Sequence, residues 1–100
     1  MLANIKEWES YLKSWVFELT KEAKRELEFL SKFDRLTLEK IALLFESISV
    51  DPRSGIGKPE RLKHKQIETW SRRIDRKNRI QYRIIENRIV IVSCMGHYND

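Results

Sequence analysis

The run Ile89-Val90-Ile91-Val92 is apolar at every position, and it constrains the fold more than any other segment. It is far too short to span a bilayer and shows no helical periodicity. It therefore reads as a strand with apolar side chains on both faces, placed centrally in a sheet. A central strand needs neighbours, and the preceding sequence supplies them. Residues 60–64, 69–75 and 79–85 read as short strands, and the apolar run belongs to a fourth at 88–95. Tight connections at Asp75-Arg76-Lys77-Asn78 and Glu86-Asn87 favour antiparallel hairpins.

The first half of the chain has a different period. Leu2, Ile5, Trp8 and Leu12 recur at helical spacing, so residues 1–14 fit a short amphipathic helical extension. Trp15-Val16-Phe17-Glu18-Leu19 is rich in aromatic and branched residues and reads as a strand. Thr20 caps a helix in which Ala23, Leu27 and Leu30 share a face. Asp34 caps a second, with Leu38, Ile41, Ala42, Phe45 and Ile48 at helical spacing. The segment from Asp51 to Pro59 holds two prolines and two glycines and reads as a loop rather than a domain boundary. The expectation is one α+β domain over residues 15–100. An N-terminal strand and a two-helix hairpin pack on one face of a twisted, mostly antiparallel sheet, and the other face stays open.

Charge is divided unevenly. Residues 1–50 hold eight Lys/Arg against nine Asp/Glu, whereas residues 51–100 hold twelve against six. The strand-rich half therefore suits a polyanion, and nucleic acid fits better than a membrane because no basic amphipathic helix lies there. With 41% hydrophobic and 35% charged residues, no long apolar segment and no leader-like start, the chain reads as a cytoplasmic globular protein. Cys94 is the sole cysteine, which excludes an internal disulfide and a thiolate cluster. Two histidines give little support to a metal site, so neither metal nor cofactor is expected.

Strand periodicity sorts the basic residues by face. Ser71 and Arg73 oppose Trp70, Arg72 and Ile74, and Arg79, Gln81 and Arg83 oppose Ile80, Tyr82 and Ile84. If the isoleucines and Tyr82 pack on the helices, Arg79 and Gln81 face the open side, and Arg73 joins them in a suitable register. Upstream lies Gly57-Lys58-Pro59-Glu60, followed by Leu62-Lys63-His64, and the chain ends shortly after Gly96-His97-Tyr98. A carboxylate, an imidazole and several cations are the parts needed to cleave RNA through its own 2′-hydroxyl without a metal. A free carboxylate accepts a proton but is weakly basic at neutral pH, while an imidazole titrates close to neutrality.

Those motifs, with Trp70-Ser71-Arg72-Arg73-Ile74, Arg79, Tyr82 and Cys94 in the same order and spacing, resemble toxins of the YoeB/Txe group within the RelE superfamily. These are the ribosome-dependent messenger-RNA endonucleases of bacterial toxin–antitoxin modules. The resemblance covers roughly the last 85 residues and implies the RelE-like α+β fold described above. It implies that Glu60 is the general base acting on the ribose 2′-hydroxyl and His97 the general acid for the departing 5′-oxygen. Arg79 would stabilise the transition state, Arg73 and Lys63 would hold the phosphate, and Tyr98 would orient the scissile phosphate or its neighbouring base. Lys58, His64, Lys65, Arg72, Arg76 and Lys77 are the further RNA-contact candidates. The implied partners are messenger RNA in the 70S ribosome, a YefM/Phd-like antitoxin, operator DNA only through the antitoxin complex, and a second copy in a homodimer. Residues 1–14 depart from the pattern of the group. They are either a helical addition that packs on the hairpin or another subunit, or the product of an upstream start. The competing reading is a non-catalytic basic protein of the same fold that inhibits a protein or ribosomal target. It would need the basic face but neither Glu60 nor His97.

Overall fold

Two polar residues set the boundaries of the helical half. Thr20 accepts a hydrogen bond from the Ala23 amide at 3.1 Å and starts helix α1 (Lys21–Phe33) directly after strand β1 (Val16–Leu19). Its own hydroxyl donates to the Val92 carbonyl at 2.7 Å, so the cap also ties the helix start to the sheet. Asp34 does two tasks. Its amide closes α1 on the Leu30 carbonyl, and its carboxylate accepts from the Thr37 amide and hydroxyl to open α2 (Arg35–Val50). The computed structural model describes residues 15–96; the helical reading of residues 1–14, and residues 97–100, lie outside the described residues.

After α2 the chain forms β2 (Glu60–Arg61), β3 (Thr69–Arg73), β4 (Arg79–Ile85) and β5 (Arg88–Gly96). The sheet order is β1-β5-β4-β3-β2, with β1 parallel to β5 and the other pairings antiparallel. The strand with the unbroken apolar run is thus paired on both edges, as its sequence requires. Asp75 organises the β3–β4 turn, its Oδ1 accepting from the Lys77 and Asn78 amides.

The core lies between the helices and one face of the sheet. Ala23, Leu30, Ile41, Leu44 and Ile48 meet Ile80, Tyr82, Ile84, Ile89, Ile91 and Cys94, all buried. Trp15, Phe17, Phe45 and Trp70 close its margin. Ala42, expected on the core face of α2, is exposed. The strand expected over 60–64 ends at Arg61. His64 has φ 62, a left-handed backbone that a strand cannot hold, so residues 62–68 form a loop instead. The strand expected over 69–75 ends at Arg73, where the Asp75 turn takes over.

Candidate active site on the open face of the sheet

Pairing register brings the site together. Glu60 lies opposite Ser71, Ser71 opposite Gln81, and Arg73 opposite Arg79. These side chains share the face away from the helices, because Arg72, Ile80 and Tyr82 occupy the other. Arg79 Nη1 lies 3.3 Å from Glu60 Oε2 and 3.4 Å from Ser71 Oγ. The carboxylate keeps much of its contact with solvent, so it pairs with the guanidinium without being sealed by it. Arg73, opposite Arg79, is exposed, as are Lys58, Lys63, His64 and Lys65 on either side of β2 in the chain, and Arg76 and Lys77 are exposed on the β3–β4 turn. Lys58 and His64 flank β2 with φ 50 and 62, so a left-handed residue stands on each side of the two-residue strand that carries Glu60. His97 and Tyr98 lie outside the described residues.

The end of β5 pairs irregularly with the strand that carries Arg79. Across β4, Tyr82 pairs with Ile91, Gln81 with Ser93 and Arg79 with Gly96, so β5 carries extra residues at two irregularities. Bulges of this kind increase twist and re-aim a strand end. The second leaves the Cys94 amide donating to Glu26 Oε1 of α1 at 2.7 Å. Burial pushes the Glu26 carboxyl above its usual range, against the lowering pull of the Cys94 and Met95 amides. Gly96, directly before His97 in the chain, is thereby set opposite Arg79. Cys94 itself is fully buried and its thiol is pushed up to about 12 by burial, which suits packing and not nucleophilic attack.

The structure corrects one RNA-contact candidate. Arg72 is fully buried, and every one of its N–H groups is engaged inside the protein. Nε donates to the Tyr82 hydroxyl at 3.0 Å. Nη1 donates to Ser47 Oγ and the Ile56 carbonyl, and Nη2 to the Asp51 and Ser54 carbonyls, at 2.7–3.1 Å. The Tyr82 hydroxyl in turn donates to the Pro52 carbonyl at 2.6 Å. A guanidinium so enclosed has no donor left for a phosphate. Apart from Tyr82 on β4, its partners are on α2 or the loop leading to Glu60, so Arg72 fixes that loop against the sheet. A second clamp holds the same loop from outside, with Arg53 paired to Glu68 through two hydrogen bonds of 2.8 and 2.9 Å. Gly57 completes the fit. It has φ 81, and a Cβ there would lie 2.6 Å from Leu44 Cδ2.

The signal for Arg72 was present in strand parity, because it alternates with Ser71 and Arg73 and shares a face with Trp70 and Ile74. Its charge alone points to RNA instead. Nothing in the sequence signals the Glu26–Cys94 contact, which depends on how α1 crosses β5.

This geometry can be set beside known proteins. A family model described as the YoeB-like toxin of bacterial type II toxin-antitoxin systems matches residues 19–98. The chain belongs to the YoeB toxin family. Toxin YoeB of Synechocystis is 45% identical over 65 residues, which are 65% of this chain and 76% of that protein. Among solved structures, the YoeB dimer of Staphylococcus aureus superimposes with a TM-score of 0.78 at 32% identity, covering 85% of this chain and 99% of that one. A heterotetrameric YoeB–YefM toxin–antitoxin complex from the same organism gives 0.75 at 33% identity, covering 84% and 98%. Membership in the YoeB family agrees with the resemblance read from the motifs, and the α+β fold is that of its structural neighbours.

Proposed function

We propose that this chain is a messenger-RNA endonuclease that cleaves in the ribosomal A site, blocks translation and is neutralised by a YefM-like antitoxin. The observation that carries the proposal is the Glu60–Arg79 pair, 3.3 Å apart on an open cationic sheet face in a YoeB-family chain.

In this reading the substrate supplies its own nucleophile. Glu60 takes the proton from the ribose 2′-hydroxyl, the 2′-oxygen attacks the adjacent phosphorus, and the bond to the 5′-oxygen breaks as His97 protonates it. The upstream fragment keeps a 2′,3′-cyclic phosphate or its opened product. Arg79 holds Glu60 in the resting state. On substrate binding its guanidinium is close enough to turn to the phosphate, where charge grows in the transition state. Arg73 and Lys63 hold the phosphate, and Tyr98 orients it or stacks on the neighbouring base. Base, acid and cations suffice for this chemistry, so the mechanism needs no metal and no cofactor. Lys58, His64, Lys65, Arg76 and Lys77 supply exposed positive charge for ribosomal and messenger RNA.

The YoeB–YefM complex and YoeB dimer among the structural neighbours support an antitoxin and a second copy as partners. Operator DNA would be reached only through the antitoxin complex. The cytoplasm, where messenger and ribosomes meet, is the proposed compartment, and no described helix is long and apolar enough to cross a membrane.

The test is cleavage of a defined messenger on purified bacterial ribosomes, with EDTA at a level that leaves the ribosomes intact. Cuts in the A-site codon by the wild type, lost with His97→Ala, are the expected result. Ribosome binding without cleavage by folded wild-type protein would replace the proposal with a non-catalytic inhibitor of the same fold.

A further inference from the structure

Next to the Glu60–Arg79 pair, on the same open face, lies a pocket of about 290 Å³ lined by residues 64–67 together with Thr69, Gln81 and Arg83. Its floor is set by register. Thr69 pairs with Arg83 one row of side chains beyond Ser71 and Gln81, and rows on one face are roughly 7 Å apart along a strand. An extended ribonucleotide spans a comparable distance. A strand whose scissile phosphate sits at Arg79 would therefore bring a neighbouring nucleotide over this pocket.

The lining has a distinct chemistry. It holds no carboxylate. Arg83 is exposed, and neither its side chain nor that of Gln81 has a hydrogen-bond or ion-pair partner among the described residues. Thr69 is fixed by donating to the Ile67 carbonyl at 2.8 Å. Half-exposed Ile67 adds an apolar wall. A phosphate would need neither that wall nor so large a volume, whereas a nucleobase uses both, packing its face on Ile67 and offering its edge to Gln81 and Arg83. The donors outnumber the acceptors, a balance that favours a base edge with two adjacent acceptors. Guanine presents N7 and O6 in that arrangement, which a guanidinium matches with two parallel hydrogen bonds.

We infer that this pocket is a specificity subsite that reads a guanine next to the scissile phosphate through Arg83 and Gln81. The inference rests on the endonuclease reading for its setting, and two measurements separate the fate of each. In the first, single-turnover cleavage is followed on ribosome-bound messengers carrying G, A, C or U at each position of the A-site codon. The wild type should cut guanine messengers about tenfold or more faster at one position. Arg83→Ala should level the four bases, and Arg83→Lys should not restore the preference, because an ammonium lacks the planar fork. No base preference in the wild type would overturn the subsite. So would an equal loss on all four bases in Arg83→Ala, which is the mark of a phosphate contact. In the second, the free protein is titrated with fluorescent trinucleotides carrying 2′-deoxy sugars. Guanine-selective binding lost in Arg83→Ala supports the subsite even if ribosomal cleavage fails, in which case only the endonuclease reading falls. Equal binding of all four bases overturns the subsite and leaves that reading standing.

Discussion

Two adjacent arginines show how far one step along a strand separates roles. Arg72 is sealed among carbonyls and hydroxyls, while Arg73 is exposed beside the Glu60–Arg79 pair. Arg72→Met leaves the Asp51, Ser54 and Ile56 carbonyls without their guanidinium donor and the buried Tyr82 hydroxyl without its guanidinium partner, and we expect it to lose about 3–5 kcal/mol in urea unfolding. Arg73→Met should shift stability by no more than about 0.5 kcal/mol while slowing cleavage. Equal stability losses would show that the burial of Arg72 carries no special weight. Within the proposed reaction, the roles of base and acid differ in how easily they are replaced. A carboxylate is a weak base whose place water can take in part, whereas the leaving oxygen has no other named proton donor. Glu60→Gln should therefore retain more single-turnover activity than His97→Ala, and the opposite order would contradict the assignment. The motifs name the candidates for this chemistry, and the burial of Arg72 is legible in strand parity but not in its charge.

At the scale of elements, the irregular end of β5 is held from α1 by one carboxylate. Glu26→Leu leaves the Cys94 amide without its acceptor, and the cost should be about 1–3 kcal/mol by thermal or chemical unfolding. Glu26→Gln keeps an acceptor oxygen and removes a charge that burial disfavours, so its melting temperature at pH 7 should equal or exceed the wild type's. That difference should vanish near pH 4, where the wild-type carboxyl is itself protonated. A Gln variant as damaged as the Leu variant would mean that the charge, not the acceptor, matters. The helices were readable because their caps and apolar faces are local. The strand ends were not, since β2 stops at a left-handed His64 and β5 gains residues by bulging, and both are decided by pairing across the sheet.

For the molecule as a whole, acid is the condition that undoes most at once. Asp34 is held low by the Thr37 hydroxyl and amide, Asp51 by the Arg53 amide and Ser54, and Glu68 by Arg53. Burial raises Asp75, but its Asn78 and Lys77 hydrogen bonds outweigh that and leave it low as well. A carboxyl depressed in the folded state contributes stability above its unfolded value, and that contribution is lost as pH falls through the folded one. Glu26 has the opposite sign, its contribution being present below the unfolded value and lost as pH rises through the folded one. Four against one, the melting temperature should hold from pH 7 to about 5 and fall below about pH 4. A flat profile down to pH 3 would contradict these assignments. The overall architecture was legible because apolar periodicity and turn residues are spread along the whole chain, whereas the parallel β1–β5 pairing depends on a long-range meeting of its two ends. That pairing has a consequence for biosynthesis. Thr20 and Val92 are joined although 72 residues separate them, and β5 lies between β1 and the rest of the sheet. Among the described strands the one that unites the sheet comes last in chain order, so the face that carries Glu60 and Arg79 cannot be joined to β1 while β5 is still being made. In the proposed reading, the face that would cut messenger therefore assembles only after β5 has left the ribosome.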